Sequence, residues 1–160
     1  MNIFHLHKDP KICAEYHCDK HVVKMILETA QMLSTAYQKH CGDDDKLYKS
    51  AYTKHPMTIW VGESVENFNY AHLLGKELGK QYTKRYGKLH KSSNIINAFH
   101  NGRLQNVEDR FPSQYFTPPP QCMPDEYKHR NYITAYRNYY IGEKKRFAKY
   151  TLVDTPDFMC

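Results

Sequence analysis

Between Pro10 and Gly42 the chain has no glycine and no second proline, and this stretch constrains the fold more than any other. Val22, Val23, Ile26, Leu27, Ala30, Leu33 and Tyr37 recur within it at three- and four-residue spacing, the period of one buried helix face. Asp9-Pro10 supplies a start, an N-cap followed by a proline whose missing N–H costs nothing there. Gly42 and the acidic run Asp43-Asp44-Asp45 supply a stop. Residues 9–41 therefore read as a helical region, with a break expected near Cys18-Asp19, where Asp19 can cap a second segment.

His55-Pro56 opens a second long helix over 56–86, carried by Ile59, Trp60, Val61, Val65, Phe68, Leu74 and Leu78. Gly87 suits its C-cap, and the basic last turn (Lys80, Lys84, Arg85) suits the helix dipole. Gly75 and Gly79, four residues apart, permit close packing of a neighbouring helix. Ser92-Ser93 caps a short segment, Ile95 to Phe99. Phe111-Pro112 and Pro118-Pro119-Pro120 mark residues 103–124 as a long irregular loop. A basic, Tyr-rich helical region over 125–150 follows, and residues 3–6 read as a short strand or an extended arm. The expectation is one mainly α, compact domain over 1–160, with three long helices, shorter helices and a Pro-containing loop.

No apolar run approaches the roughly 18–20 residues of a membrane span, and no secretory leader is visible at the N-terminus. Five cysteines at irregular spacing make a poor disulfide framework. The expectation is a cytoplasmic protein (host cytoplasm if viral) with reduced thiols, no cofactor, and an undetermined oligomeric state. The formal charge is +6, and it is uneven: residues 76–150 carry fifteen basic and six acidic side chains. Concentrated Lys and Arg release counterions from phosphates, so the partner expected is DNA or a phosphate-containing small molecule.

On the first long helix His21, Lys24, Glu28 and Gln31 fall at i, i+3, i+7 and i+10, one continuous polar stripe. As a solvated face it offers a Lys24–Glu28 pair worth about 0.3 kcal/mol. As a site wall it offers Glu28 as general acid/base, Lys24 as nucleophile or phosphate contact, and His21 as proton carrier or hydrogen-bond donor.

The run Cys18-Asp-Lys-His-Val-Val-Lys-Met-Ile-Leu-Glu-Thr-Ala-Gln31 resembles a motif of small viral and bacterial proteins. The likeness extends to His55-Pro56, Arg85-Tyr-Gly-Lys-Leu-His-Lys91, Met123-Pro-Asp-Glu-Tyr-Lys128 and Ala135-Tyr-Arg-Asn-Tyr-Tyr140. Asp19-Lys20-His21 with Glu28 seven residues on also resembles the pyrimidine-dimer DNA glycosylases of the endonuclease V type. That resemblance implies a compact helical DNA-repair enzyme with Glu28 as its catalytic carboxylate. Such enzymes attack the sugar C1′ with an amine, the one freed when the initiator Met is removed before a small residue. Asn2 departs from that pattern, which leaves the Met1 amine, Lys24 or a water molecule as nucleophile. The resemblance further implies an aromatic residue, Trp60 or one from the Tyr-rich helix, that holds the flipped base or fills its place.

Lys88, His90 and Lys91 join Arg85 as candidate phosphate contacts, with His55, Arg137 and Tyr140 as further substrate contacts, because basic groups among flat rings suit nucleic acid. Half of the tyrosines could equally be core. Cys13, His17, Cys18 and His21 are metal-ligand types within nine residues, but their spacing matches no zinc motif, and no metal is expected. Two other readings stay open: an enzyme or binding protein for a nucleotide or phosphorylated ligand, and a non-catalytic nucleic-acid-binding or ligand-sequestering module.

Overall fold

The structure, a computed structural model, describes residues 1–160. It is helical throughout, with no strand. Helix α1 (Pro10–Tyr16) starts where Asp9 accepts the Lys11 N–H at 2.8 Å. The chain turns at His17 and enters α2 (Asp19–Cys41), which stops at Gly42 in a positive-φ conformation (φ 94°). The break falls as expected, but Cys18 occupies the cap and Asp19 is the first helical residue.

The second long helix is divided. Helix α3 (Pro56–Glu63) and α4 (Val65–Tyr86) meet at Ser64, whose backbone is extended (φ −153°, ψ 160°). Two local facts and one distant one explain the break. Ser64 Oγ accepts the Asn67 N–H at 3.0 Å, a cap that competes with continuing the helix. Asn67 Nδ2 donates to the Trp60 carbonyl at 2.9 Å. The amides of Val65 and Glu66, which α3 would have to satisfy, instead donate to the carbonyls of Ser113 and Gln114 at 2.9 and 3.1 Å.

Those carbonyls belong to the Pro-containing segment, which is shorter than the loop expected over 103–124. Its first third is a helix, α6 (Arg103–Arg110), and only the remainder is an extended strap. Helix α5 (Ser93–Asn97) lies close on α4, where a Cβ at Gly75 would stand 2.9 Å from Ile96 Cδ1 and one at Gly79 2.9 Å from Ser93 Oγ.

The third long helix does not form. Residues 125–150 hold a short 3-10 turn, the eight-residue α7 (Tyr132–Tyr139) and a π turn over Tyr140–Lys144. The two long helices, α2 and α4, pack on each other and on α1 and α3 around one apolar core. Through that core threads the N-terminal arm, with Ile3, Phe4, His5 and Leu6 all buried. Arg137 Nε holds the arm at the Leu6 carbonyl (2.9 Å). The arm is extended and pairs with no strand, and its course delivers the chain's first two residues to the side of α2.

Candidate active site

Residue 2 is fixed on every side. Asn2 Oδ1 accepts the Ile3 N–H (2.8 Å) and the Tyr136 hydroxyl (3.2 Å), while Nδ2 donates to the Cys122 carbonyl (2.9 Å). So held, the Asn2 N–H donates to Glu28 Oε2 at 3.0 Å, and the Met1 α-amine lies 3.7 Å from the same oxygen. Lys24 Nζ approaches the other oxygen, Oε1, at 3.6 Å. Glu28 is only 8% exposed. A carboxylate that dry needs partners, and an N–H and two amines supply them. The amines differ in freedom: the Met1 side chain is 4% exposed and the Lys24 side chain 67%.

These groups line a cavity of about 360 Å³ that also receives Phe4, His21, Met25, His55, Cys122, Tyr139 and Lys144. His21 stacks on Phe4 (ring centroids 4.6 Å apart) and its Nδ1 lies 2.8 Å from the Tyr140 hydroxyl. That hydroxyl accepts the Cys18 N–H at 3.1 Å, and of the two acceptors for its own proton, Nδ1 at 2.8 Å and Cys18 Sγ at 3.6 Å, the imidazole nitrogen is the closer and the stronger. Nε2 of His21 then carries the ring proton. Burial, reinforced by His17, Lys144 and Lys24, pushes the His21 pKa down to about 3.

His55 reaches the cavity from the N-terminus of α3, where its Nδ1 accepts the Met57 N–H at 3.1 Å. Burial lowers its pKa, as does the Met1 amine, against an opposing pull from Glu28. Lys144, which spacing alone left among the basic residues of the chain's end, is carried to the cavity by the π turn. Its Nζ stands 4.7 Å over the Tyr139 ring and 6.0 Å over Phe4.

Other expected site residues lie elsewhere. Arg85 is buried with its donors committed: Nη1 to the His17 carbonyl (2.7 Å) and Asp19 (3.1 Å), Nη2 to the Glu15 carbonyl (3.0 Å), Nε to Gln81 (3.2 Å). It clasps the α1–α2 junction to α4, with four of its five N–H donors committed and its side chain out of reach of solvent. Trp60 is core, its indole N–H donating to the Thr117 carbonyl at 2.9 Å, and it does not line the cavity. Tyr140 is also buried, and its hydroxyl meets His21 rather than the cavity.

Arg137 is spent on the arm and on the faces of Phe158 and Tyr16. His90 donates to the Val23 carbonyl (3.1 Å) and accepts the Ser92 N–H (3.0 Å). Gln31 is half-buried further along α2, and Lys88 and Lys91 are exposed beyond α4; none of the three lines the cavity. Cys13 Sγ donates to the Phe4 carbonyl (3.2 Å), and no three His, Cys, Asp or Glu side chains converge as a metal-binding group.

Spacing could not show Asn2, Phe4, Cys122 or Tyr139 as cavity residues, because the arm, the strap and α7 bring them together from segments more than a hundred residues apart. The signal that was present is the Asn2 departure, which already pointed at the N-terminus.

No curated protein and no solved structure matches the chain. A family model does, that of the pyrimidine dimer DNA glycosylases, over residues 1–91. The matched segment contains Met1, His21, Lys24, Glu28 and His55, while Cys122, Tyr139 and Lys144 come from beyond it. With more than half of its length matched, and with the amine–carboxylate wall inside the match, the chain belongs to the pyrimidine dimer DNA glycosylase family.

Proposed function

We propose that this protein excises a damaged pyrimidine from duplex DNA and then cleaves the strand by a lyase step, with the Met1 α-amine as nucleophile and Glu28 as acid/base. The observation that carries this reading is the α-amine 3.7 Å from a buried carboxylate in a cavity rimmed by Lys24 and Lys144. Only a neutral amine attacks, and α-amines as a class titrate about two units below lysines, so more of an α-amine is neutral at neutral pH. The α-amine is also held in place, whereas Lys24 is mostly in solvent.

The amine forms a bond to the sugar C1′ as the C1′–N bond breaks and the base departs with the electron pair. The proton lost by the amine passes to Glu28, which returns it to the departing base. The ring oxygen then leaves C1′ with the remaining N–H proton of the amine, carried by Glu28, to give a hydroxyl and an imine; the Glu28 carboxylate so regenerated takes the C2′ proton as the C3′–O bond breaks and the 3′ phosphate departs. The target must leave the stack to enter the cavity. Phosphate contacts come from the cavity's own rim: Lys24 and Lys144, with Lys20 and Arg146 held over the Phe147 ring at 5.1 and 5.4 Å. This replaces the grip expected from Arg85.

Incubation of lesion-bearing duplex with borohydride should trap a covalent adduct whose peptide maps to Met1. Glu28→Gln should reduce turnover by roughly a hundredfold or more while leaving DNA binding intact. Unchanged turnover in Glu28→Gln overturns the assignment; an adduct mapping to Lys24 moves the nucleophile along the same wall.

A further inference from the structure

Among the donors that line the cavity are three amines, Met1, Lys24 and Lys144, and two imidazoles, His21 and His55. Three are cations by type, and the two imidazoles are not equivalent. The charged neighbours of His21 are Lys144 and Lys24, on the phosphate side of the cavity. Those of His55 are the Met1 amine and Glu28, the pair at the reaction centre.

His55 is also placed with care. The turn before it is closed by its own N–H donating to the Tyr52 carbonyl at 3.0 Å, with Tyr52 in the left-handed region at φ 54°. A tyrosine is strained in that region and stays there only because the surrounding turn holds it. The loop is bolted to α2 by Thr35, whose Oγ1 donates to the Ala51 carbonyl (3.1 Å) and accepts the Ala51 N–H (3.0 Å). With Nδ1 occupied by the Met57 N–H, the neutral ring must carry its proton on Nε2, which has no partner in the protein. Taking a second proton would break the cap of α3. His55 is thus built as a fixed neutral donor, not as a base.

We infer that His55 is a catalytic residue of the base-release step, its Nε2–H donating to the carbonyl oxygen of the departing pyrimidine. This rests on the glycosylase reading above. As the C1′–N bond breaks, the electron pair delocalises from the ring nitrogen onto the carbonyl oxygens of the base, and a donor preorganised there stabilises the charge as it develops. The proton itself still travels from the amine through Glu28 to the base, so His55 polarises and does not transfer. An abasic sugar has no base to release, and the lyase step on it has no use for His55.

The test is His55→Asn, which keeps an oxygen to cap Met57 and loses the reach of Nε2–H. Rates are measured in single turnover and normalised to the fraction of protein that forms a borohydride adduct on abasic duplex. Base release from lesion-bearing duplex should fall by about ten- to a hundredfold, while strand cleavage at preformed abasic sites stays within about twofold of wild type. Equal loss on both substrates, or loss on neither, overturns the role. If the wild-type protein cleaves abasic sites but releases no base, this inference fails and the lyase half of the reading stands. If Glu28→Gln is fully active, both fail.

Discussion

Histidine 55 is one of four that use the same local device. His7, His55, His90 and His129 each accept, through Nδ1, the N–H of the residue two further on, at 2.9, 3.1, 3.0 and 3.0 Å. Four of ten histidines are therefore turn and helix-start acceptors, the work more often done by Asn or Asp. Composition made the histidine count look like binding chemistry, and only their surroundings separate His7, His90 and His129 from His21 and His55 in the cavity. Arg85 shows the same limit: its type and position at a basic helix end fit a phosphate contact equally well. What decides is the burial of its side chain among carbonyls that come from Glu15 and His17. Arg85→Ala should accordingly cost about 3 kcal/mol of stability, because it strands those carbonyls and the Asp19 carboxylate. Lys88→Ala, on open surface, should change stability by less than about 0.5 kcal/mol. Urea unfolding midpoints of the two variants check the contrast, and near-equal midpoints would show that the clasp contributes little.

Helix boundaries were legible where their chemistry is local. Asp9-Pro10 and His55-Pro56 start helices, Gly42 and Gly87 stop them, and in each case the capping partner lies within a few residues. The break at Ser64 was not legible, because the carbonyls that relieve it belong to Ser113 and Gln114, about fifty residues on. The end of α7 was missed for a similar reason. At Gly142 a Cβ would collide with the Tyr127 ring, whose hydroxyl donates to Glu143 Oε1 at 2.9 Å. The missing side chain lets that ring lie against the π turn, which swings Lys144 toward the cavity. Gly142→Ala must displace Tyr127 or unwind the turn, and either moves Lys144. It should weaken binding to lesion-bearing duplex by about as much as Lys144→Ala does, although it removes no charge. Gel-shift titration of both variants reads this directly; a Gly142→Ala protein that binds like wild type would show that Lys144 does not depend on the turn.

The whole molecule buries imidazoles in and against its N-terminal arm, at His5, His17 and His21, and a fourth at His72 between α4 and the Ala98–His100 turn, and that has a consequence for pH. Burial is the leading cause of a lowered pKa at His5 (about 3), His17 (about 4), His21 (about 3) and His72 (about 4). Neighbouring cations and titrating rings add to it: His17 at His5 once both take up protons, Arg85 at His17, His17 with Lys144 and Lys24 at His21, and His100 with Lys76 at His72. Both ring nitrogens of His5 and Nε2 of His17 are buried with no hydrogen-bond partner, so neither ring gains anything in the fold by taking up a proton. In the unfolded chain all four titrate near 6.5, the ordinary value. Folded values below unfolded ones mean stability that is fully present above about pH 6.5 and is lost as pH falls toward 4. Within that window each such histidine removes about 1.4 kcal/mol per pH unit, and a domain of this size has on the order of 5–15 kcal/mol in all. Carboxylates held down in the fold, such as Asp19 with Thr151 and Arg85, act in the same direction but only at lower pH. Thermal melts should therefore show a plateau near neutrality, a steep fall in Tm between pH 6.5 and 4.5, and loss of the cooperative transition before the carboxylates titrate. His5→Phe, which keeps the aromatic packing against Tyr70 and Trp60, should flatten the fall by one proton's worth. A Tm that holds steady to pH 4.5 would mean that these rings find proton partners, and that the arm carrying the amine is looser than its burial indicates.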